Sequence, residues 1–358
     1  MNGMLKRLLP PPKRSFFLFG PRGVGKSTWL EQEFPNSLRL DLLDSSLSME
    51  LSRAPGSLEG LVGARPRGSW VVLDEIQKIP ALLDVVQRLM MERKWQFALC
   101  GSSARKLRRS GANLLAGRAL TCYLLPFVSA ETGAEFNLQH ALEYGNLPYV
   151  RDDSPHAAGI LAAYVDTYLK EEIREEGAVR RLEPFLRFLS VAGMLNGQSV
   201  NAQNIAREAG VPRSTIDNYF SILADTLIGY FLPAYRPNVK VREQVHPKYY
   251  WFDTGVARAA AGLLRQAPDR DWLGRALETL LLHEMRVYNE NSGNHFPLSY
   301  YRTSAGVEID FIVETRRRTA SSSAQITGVE VKLADRWERK WEKSLRDLGE
   351  KVAADLKT

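Results

Sequence analysis

No feature of this chain constrains its fold more than Gly20-Pro21-Arg22-Gly23-Val24-Gly25-Lys26-Ser27, set directly after the apolar run Ser15-Phe16-Phe17-Leu18-Phe19. The run reads as a buried strand, and Thr28-Trp29-Leu30-Glu31-Gln32-Glu33-Phe34 has helical composition, so the glycine-rich segment joins a strand to a helix N-terminus. Glycines in such a turn let backbone N–H groups point inward at an anion, where the helix end already favours negative charge. The spacing GxxxxGK[ST] adds a lysine, Lys26, to neutralise β/γ-phosphate charge and a hydroxyl, Ser27, to ligate Mg2+. The expectation is a nucleoside triphosphate site lined by Gly20, Pro21, Arg22, Gly23, Val24, Gly25, Lys26, Ser27 and Thr28. A purely structural glycine-rich turn is the alternative.

A partner motif lies downstream. Ser69-Trp70-Val71-Val72-Leu73 reads as a second apolar strand and ends in Asp74-Glu75. Phosphoryl transfer asks mainly for positioning and charge compensation. Asp74 at the strand tip is therefore expected to join Ser27 in the Mg2+ shell, and Glu75 to orient or deprotonate the attacking water. Alone, two acids after a strand read as an ordinary loop start; beside the phosphate loop they read as its partners. A third strand, Trp95-Gln96-Phe97-Ala98-Leu99-Cys100, ends in Gly101-Ser102-Ser103, where Ser102 is the candidate polar sensor of the γ-phosphate. Leu115-Ala116-Gly117-Arg118-Ala119 precedes another apolar strand, Leu120 to Pro126. Arg118 is an arginine-finger candidate, acting in trans if the protein forms a ring; a surface or ion-pairing arginine is the alternative.

Phe19 through Ser27, Leu73-Asp74-Glu75-Ile76-Gln77-Lys78-Ile79-Pro80, Cys100-Gly101-Ser102-Ser103-Ala104 and Leu115-Ala116-Gly117-Arg118 together resemble a prokaryotic family of AAA-type (AAA+ superfamily) ATPases. In that family the P-loop domain is joined to a domain of unknown function, and the resemblance spans nearly the whole chain. It implies ATP with Mg2+ as ligands, ATP hydrolysis, and a possible homo-oligomer, since AAA-type ATPases often form rings. It implies no particular biological role.

Composition agrees with a folded chain of two or three domains: 358 residues, 44% hydrophobic and 25% charged. Cys100 and Cys122 fall in expected interior strands and read as core residues in a reducing compartment, not as a disulfide or metal pair. The histidines show no ligand spacing. No apolar run approaches the ~20 residues of a spanning helix, and the N-terminal Met1-Asn2-Gly3-Met4-Leu5-Lys6-Arg7 lacks a signal-peptide core. Prokaryotic cytoplasm and no membrane partner are expected. The net charge of +7 gathers in Arg105-Lys106-Leu107-Arg108-Arg109, in Arg316-Arg317-Arg318 and from Arg336 to Lys343. Such clusters fit DNA, although a charge run is usually a solvated face.

After Phe127 the sheet pattern gives way to helices, with a turn at Tyr144-Gly145-Asn146-Leu147-Pro148, a polar linker at Arg151 to Pro155, and helical text from Ala162 to Glu176 and from Leu186 to Leu195. The segment from Val200 to Phe220 has helix-turn-helix grammar. One helix ends at Gly210, Pro212 makes the turn, Arg213 or Ser214 opens the next helix, and Ile205, Val211, Ile216 and Tyr219 pack the pair. Leu227 to Phe252 could supply a wing hairpin. The second helix offers only Arg213, Ser214, Thr215 and Asn218 for reading bases, so a winged helix used for protein contacts competes with duplex DNA binding.

The last third carries a second constellation. A helix around Leu273 to Glu284 presents Glu278 on a largely apolar face, and strands come after it at Leu298 to Thr303, Val307 to Glu314 and Ile326 to Lys332. Alternation puts Glu308 and Asp310 on one strand face, and Glu330 and Lys332 on one face of the next. An Asp followed, after a hairpin, by ExK resembles the PD-(D/E)XK restriction-endonuclease-like fold. That resemblance implies that Asp310 and Glu330 hold a divalent metal, that Lys332 stabilises charge or activates water, and that Glu278 or Glu284 completes the shell. Nuclease activity itself is not implied. The chain ends at Thr358 after one charged helix, where such a fold usually adds a further strand and helix, so a truncated domain is expected.

The expected fold class is α/β: a P-loop parallel sheet domain of AAA type over 1–135, a helical and winged-helix domain over 136–262, and a small α/β restriction-endonuclease-like domain over 263–358. The leading functional expectation is an ATPase that drives a conformational change in the attached region, acting on or regulated by nucleic acid. The alternatives are an ATP-gated, metal-dependent nuclease and a nucleotide-switched DNA-binding or signalling scaffold with little turnover.

Overall fold

The structure is a computed structural model that describes residues 5–63, 65–109, 115–171, 182–236, 246–303, 306–317 and 324–354. Arg318, the tip of the expected wing at 237–245, and 172–176 of the expected helical stretch lie outside the described residues. Strands β1 (Phe16–Phe19), β2 (Leu38–Asp41), β3 (Trp70–Asp74), β4 (Gln96–Gly101) and β5 (Leu120–Tyr123) form one parallel sheet in the order β2-β3-β4-β1-β5. The near-continuous apolar text of the inner strands β1, β3 and β4 results from burial on both faces. Phe16 and Leu18 enter one core with Trp29, Val72, Ala98 and Cys100, while Phe17 and Phe19 enter the other with Val71, Leu73, Phe97 and Leu99. The edge strand β2 was not anticipated. Its four residues alternate apolar and polar and stay partly exposed, so they carry little of the pattern that marks the inner strands.

The first of these cores continues without interruption into the next segment, taking in Leu147, Tyr164, Phe188, Phe220 and Trp251. In that segment the helix Leu182–Met194 is succeeded by β6 (Gln198–Ser199), the helix Ala202–Ala209, the helix Arg213–Asp225, then β7 (Gly229–Leu232) and β8 (Lys248–Trp251). Asn201 caps the second of these helices by accepting the N–H groups of Gln203 and Asn204, and Gly210 ends it in the left-handed region at φ 67°. Pro212 then sets the start of Arg213–Asp225. The three strands make an antiparallel sheet in the order β6-β8-β7.

The long helix Arg270–Asn291, capped by Asp269, leads into β9 (Leu298–Arg302), β10 (Glu308–Arg316) and β11 (Gln325–Val329), an antiparallel sheet in the order β11-β10-β9, and then the helix Lys343–Ala354. β11 is shorter than the sequence implies. Asp310 Oδ2 accepts the Val331 N–H at 2.8 Å, so a side chain takes the donor that would have extended the ladder. Glu330 and Lys332 therefore lie just beyond β11 and not on one strand face as expected. The two antiparallel sheets are joined at their edges: Tyr300 N donates to Pro233 O at 2.9 Å, and Tyr235 N to Tyr300 O at 2.6 Å.

Candidate functional site

In the parallel sheet, the loop after β1, Asp74 and Glu75 at the end of β3 and the serines after β4 all sit at the same carboxyl-terminal edge, the edge where open α/β sheets bind ligands. The loop Gly20 to Gly25 enters the helix Lys26–Glu33, with Gly23 at φ 86° and Gly25 at φ 89°, a region that other residues enter only with strain. Lys26 is buried, and its Nζ donates to Gly20 O at 2.7 Å and Pro21 O at 3.0 Å. Ser27 Oγ donates to Asp74 Oδ2 at 2.9 Å across the tips of β1 and β3. A hydroxyl and a carboxylate at that separation are the donor set a magnesium ion bound with phosphates would use. Thr28 is exposed on the first turn of the helix.

Glu75 comes after Asp74 with φ 58°, left-handed for a residue with a side chain, and its N–H is held by Asp74 Oδ1 at 3.0 Å. Strain at such a position is a common companion of function. Buried Gln77 donates from Nε2 to Glu75 Oε2 and, at 3.4 Å, to Ser102 Oγ. A carboxylate can only accept here, which fixes the amide nitrogen toward Glu75. Gln77 thus ties the water-orienting candidate to the sensor candidate. The Leu73-to-Pro80 motif contained this residue, but nothing in its spacing singled it out.

Arg118 stands apart. It is exposed just before β5, at the amino-terminal edge of the sheet, opposite the edge that carries the loop. It is remote from its own phosphate loop.

Several residues that line the loop carried no motif. Arg7, almost fully buried, donates from Nη1 to Val24 O at 2.7 Å and from Nε to Glu131 Oε1 at 3.0 Å, reaches Leu125 O through Nη2, and stacks on Phe127 at 4.6 Å. Burial lowers its pKa while Glu131 works against that. From the helical segment, Tyr164 Oη donates to Arg22 O at 3.1 Å and the Arg22 guanidinium lies 4.6 Å over the Tyr168 ring. Both tyrosines belong to a π-helical stretch, Tyr164–Leu169. A Cβ at Gly23 would lie 2.0 Å from Tyr149 Oη. The loop is thus gripped from the segment beyond it in sequence.

Two further contacts bind the sheet domain to the rest of the chain. Arg105, just after the Ser102 strand tip, pairs through Nη1 with Asp225 at the end of the helix Arg213–Asp225. Ser129 N and Oγ donate to Glu284 at 2.7 and 3.0 Å. Glu284, one of the two expected helix ligands of a second metal, is therefore committed to Ser129.

The other acids of that constellation do converge. Lys248 Nζ, from β8, lies 2.5 Å from Glu308 Oε1, 3.6 Å from Glu278 Oε2 and 3.9 Å from Asp310 Oδ1. Tyr250 Oη donates to Glu278 Oε2 at 3.0 Å. Glu330 pairs with Lys332 at 2.5 Å. Burial raises the carboxyl of Glu278 against the pull of Lys248. For Lys248, burial alone would lower the pKa, but Glu278 and Glu308 hold it above the ordinary value. Where a divalent ion was expected among Glu278, Asp310 and Glu330, an ammonium stands against two of those acids and Glu308.

Residues 12–133 match the family described as "AAA domain", 135–267 match "Domain of unknown function (DUF8612)", and 273–358 match "Domain of unknown function (DUF4143)". The first third of the chain is thus an AAA-type P-loop domain, the kind that binds ATP. No curated protein matches the chain. Among solved structures, that of the Aeropyrum pernix ORC1 protein in complex with DNA is similar at 14% identity over 71% of this chain and 87% of that one, with a TM-score of 0.27, too loose a likeness to bear on fold or function. Among the described residues no helix is long and apolar enough to cross a membrane.

Proposed function

We propose that the chain hydrolyses ATP at the loop after β1 and uses its nucleotide state to shift an attached region made of a winged-helix unit, 182–251, and a restriction-endonuclease-like unit, 270–354. The observation that carries the reading is the convergence of Ser27, Asp74, Glu75 and Ser102 at one sheet edge, with Ser27 and Asp74 in contact at 2.9 Å. Mg2+ held by Ser27 and Asp74 would offset charge on the β- and γ-phosphate oxygens. Lys26 adds a fixed positive charge beside them, Glu75 orients and deprotonates water, and Gln77 holds the Glu75 carboxylate in line with Ser102. Arg118, remote from this edge in its own chain, could serve only the site of a neighbouring copy.

The coupling is supported by contacts that start at the site. Arg22 of the loop touches Tyr164 and Tyr168, Arg7 links Val24 to Glu131, and Arg105 after the sensor strand holds Asp225. These are the groups a phosphate-driven change in the loop would displace first. The order helix, strand, helix, turn, helix, hairpin supports the winged-helix reading, and a long helix before three antiparallel strands supports the other.

The exposed face of the second helix favours an internal role. Arg213, Asp217, Ser221 and Asp225, four residues apart, share that face and line a cleft of about 840 Å3. Asp217 stands 3.7 Å from Arg213, and Asp225 is taken by Arg105. Two acids on the surface that would meet DNA phosphates oppose duplex reading. Nucleic acid enters this reading as a regulator of turnover, drawn by the net charge of +7.

Steady-state ATP hydrolysis by wild type, Lys26→Ala and Glu75→Gln, each with no nucleic acid, single strands or duplex, tests the proposal. Wild type should turn over ATP, and each variant should lose about 100-fold or more. Unchanged turnover in Lys26→Ala would sink it, and negligible turnover by wild type in every condition would leave a nucleotide-switched scaffold.

A further inference from the structure

The acid cluster of the last segment looks, in sequence, like the metal centre of a nuclease. A magnesium or manganese ion in such a centre needs carboxylate oxygens that converge on open space at little more than 2 Å. The side chains of this chain do not fit that demand. Lys248, whose side chain is 6% exposed, puts its Nζ 2.5 Å from Glu308 Oε1 and within 4 Å of Glu278 and Asp310. Among the described residues no three His, Cys, Asp or Glu side chains are arranged to hold a metal ion.

The lysine is built in. It comes from β8, outside the strands and helix that carry the acids, and the Tyr300 ring lies 5.5 Å from its ammonium. Its neighbour Tyr250 is fully buried and donates to Glu278. Asp310 is further committed through Oδ2 to the Val331 N–H. The backbone of Lys248 is fixed in the central strand of its sheet, paired with β6 on one side and β7 on the other. A buried ammonium facing three carboxylates offsets part of their charge from the position a divalent ion would take, with Arg302 adding a second cation 3.7 Å from Glu308.

We propose that the Lys248 ammonium takes the place of a divalent ion, making the cluster of Glu278, Glu308 and Asp310 a metal-free clasp between β8 and the C-terminal sheet, not a nuclease centre. The proposal uses the restriction-endonuclease-like reading only for what the cluster replaces; it stands whether or not the chain turns over ATP.

The test is Mn2+ binding to the full, nucleotide-free chain, read by titration calorimetry and by the electron-spin signal of free Mn2+. Each protein is compared with its own Asp310→Asn counterpart, so that any ion at Ser27 and Asp74 cancels. Wild type should bind no Mn2+ that Asp310→Asn removes. Lys248→Met, which keeps the volume and deletes the charge, should gain one Mn2+ per chain, lost again in Lys248→Met/Asp310→Asn. Asp310-dependent Mn2+ binding by wild type would overturn the proposal, as would a folded Lys248→Met with no gain. Should Lys248→Met fail to fold, wild type still decides: plasmid cleavage with Mn2+ that Asp310→Asn abolishes overturns it, and absence of both binding and cleavage upholds it.

Discussion

Arg105, three residues beyond Ser102, is paired with Asp225 at the far end of the helix Arg213–Asp225, so the strand tip that would sense a γ-phosphate is wired to the segment beyond the sheet. Arg105 is buried and Asp225 partly exposed, so the arginine loses more when the pair is broken. Asp225→Asn should destabilise the chain by about 1 kcal/mol, the usual cost of losing one charge-assisted hydrogen bond, since Ser221 Oγ at 3.4 Å still accepts from Arg105. Urea denaturation at neutral pH measures this, and a loss indistinguishable from zero would mean that water or Ser221 replaces the carboxylate.

Gln77 touches Glu75 and Ser102 but need not touch nucleotide. Gln77→Leu should therefore lower kcat for ATP by about 10–100-fold, the range for losing a group that orients a reacting one, with KM changed little. A rise in KM with kcat intact would assign Gln77 to binding instead. Nucleotide affinity measured separately should be near that of wild type.

Much of the site was legible because its residues sit at strand ends and within one short loop. Phe16 to Phe19 announce a strand buried on both faces, and a glycine-rich turn with Lys26 and Ser27 states its own chemistry. The two helices Ala202–Ala209 and Arg213–Asp225 were equally plain from Gly210, Pro212 and the spacing of Ile205 and Ile216, because caps and core positions are local signals. What was not legible depends on distance along the chain. Arg7 meets Glu131 across 124 positions, and Tyr149, Tyr164 and Tyr168 reach the loop only after the helical segment folds back. Lys248 sits in an otherwise aromatic strand, where its charge carries no pattern until Glu278, Glu308 and Asp310 close around it. The early end of β11 has the same origin, since Asp310 captures a backbone donor that strand propensity would have left in the ladder.

Gly23 and Gly25 both have positive φ, yet their surroundings differ. At Gly25 an added Cβ would meet nothing closer than 3.8 Å, so Gly25→Ala carries mainly backbone strain, about 1–2 kcal/mol. At Gly23 the same atom would lie 2.0 Å from Tyr149 Oη. Tyr149 is partly exposed and meets the new atom with the end of its side chain, so Gly23→Ala should cost up to ~1 kcal/mol more, from displacing the ring. Gly23→Ala/Tyr149→Ala should recover part of that excess, and a double-mutant cycle read by denaturation should give a coupling of up to about 1 kcal/mol. Strict additivity would separate Tyr149 from the loop.

His283 supplies a pH dependence with a defined sign. Its Nε2 lies 3.1 Å from Pro126 O and 3.3 Å from Phe127 O, both of which only accept, so Nε2 carries the proton of the neutral ring. Nδ1 is buried with no partner among the described residues, and a second proton there would be unsolvated. Burial first, then the charge of Arg286, lowers the pKa from 6.5 to about 4. A depressed folded pKa gives stability that is present above pH 6.5 and drains away as pH falls toward about 4, at most about 3 kcal/mol. Asp253 runs the other way. Burial raises it to about 6, so its contribution is greatest in acid and is lost as pH rises through that value, which partly masks the histidine in wild type. His283→Gln keeps a donor for the carbonyls and removes the titration. Across the window from pH 6.5 to 4 the gap between wild type and His283→Gln should narrow in favour of the variant; a gap that does not change with pH would mean that His283 takes up its proton without cost.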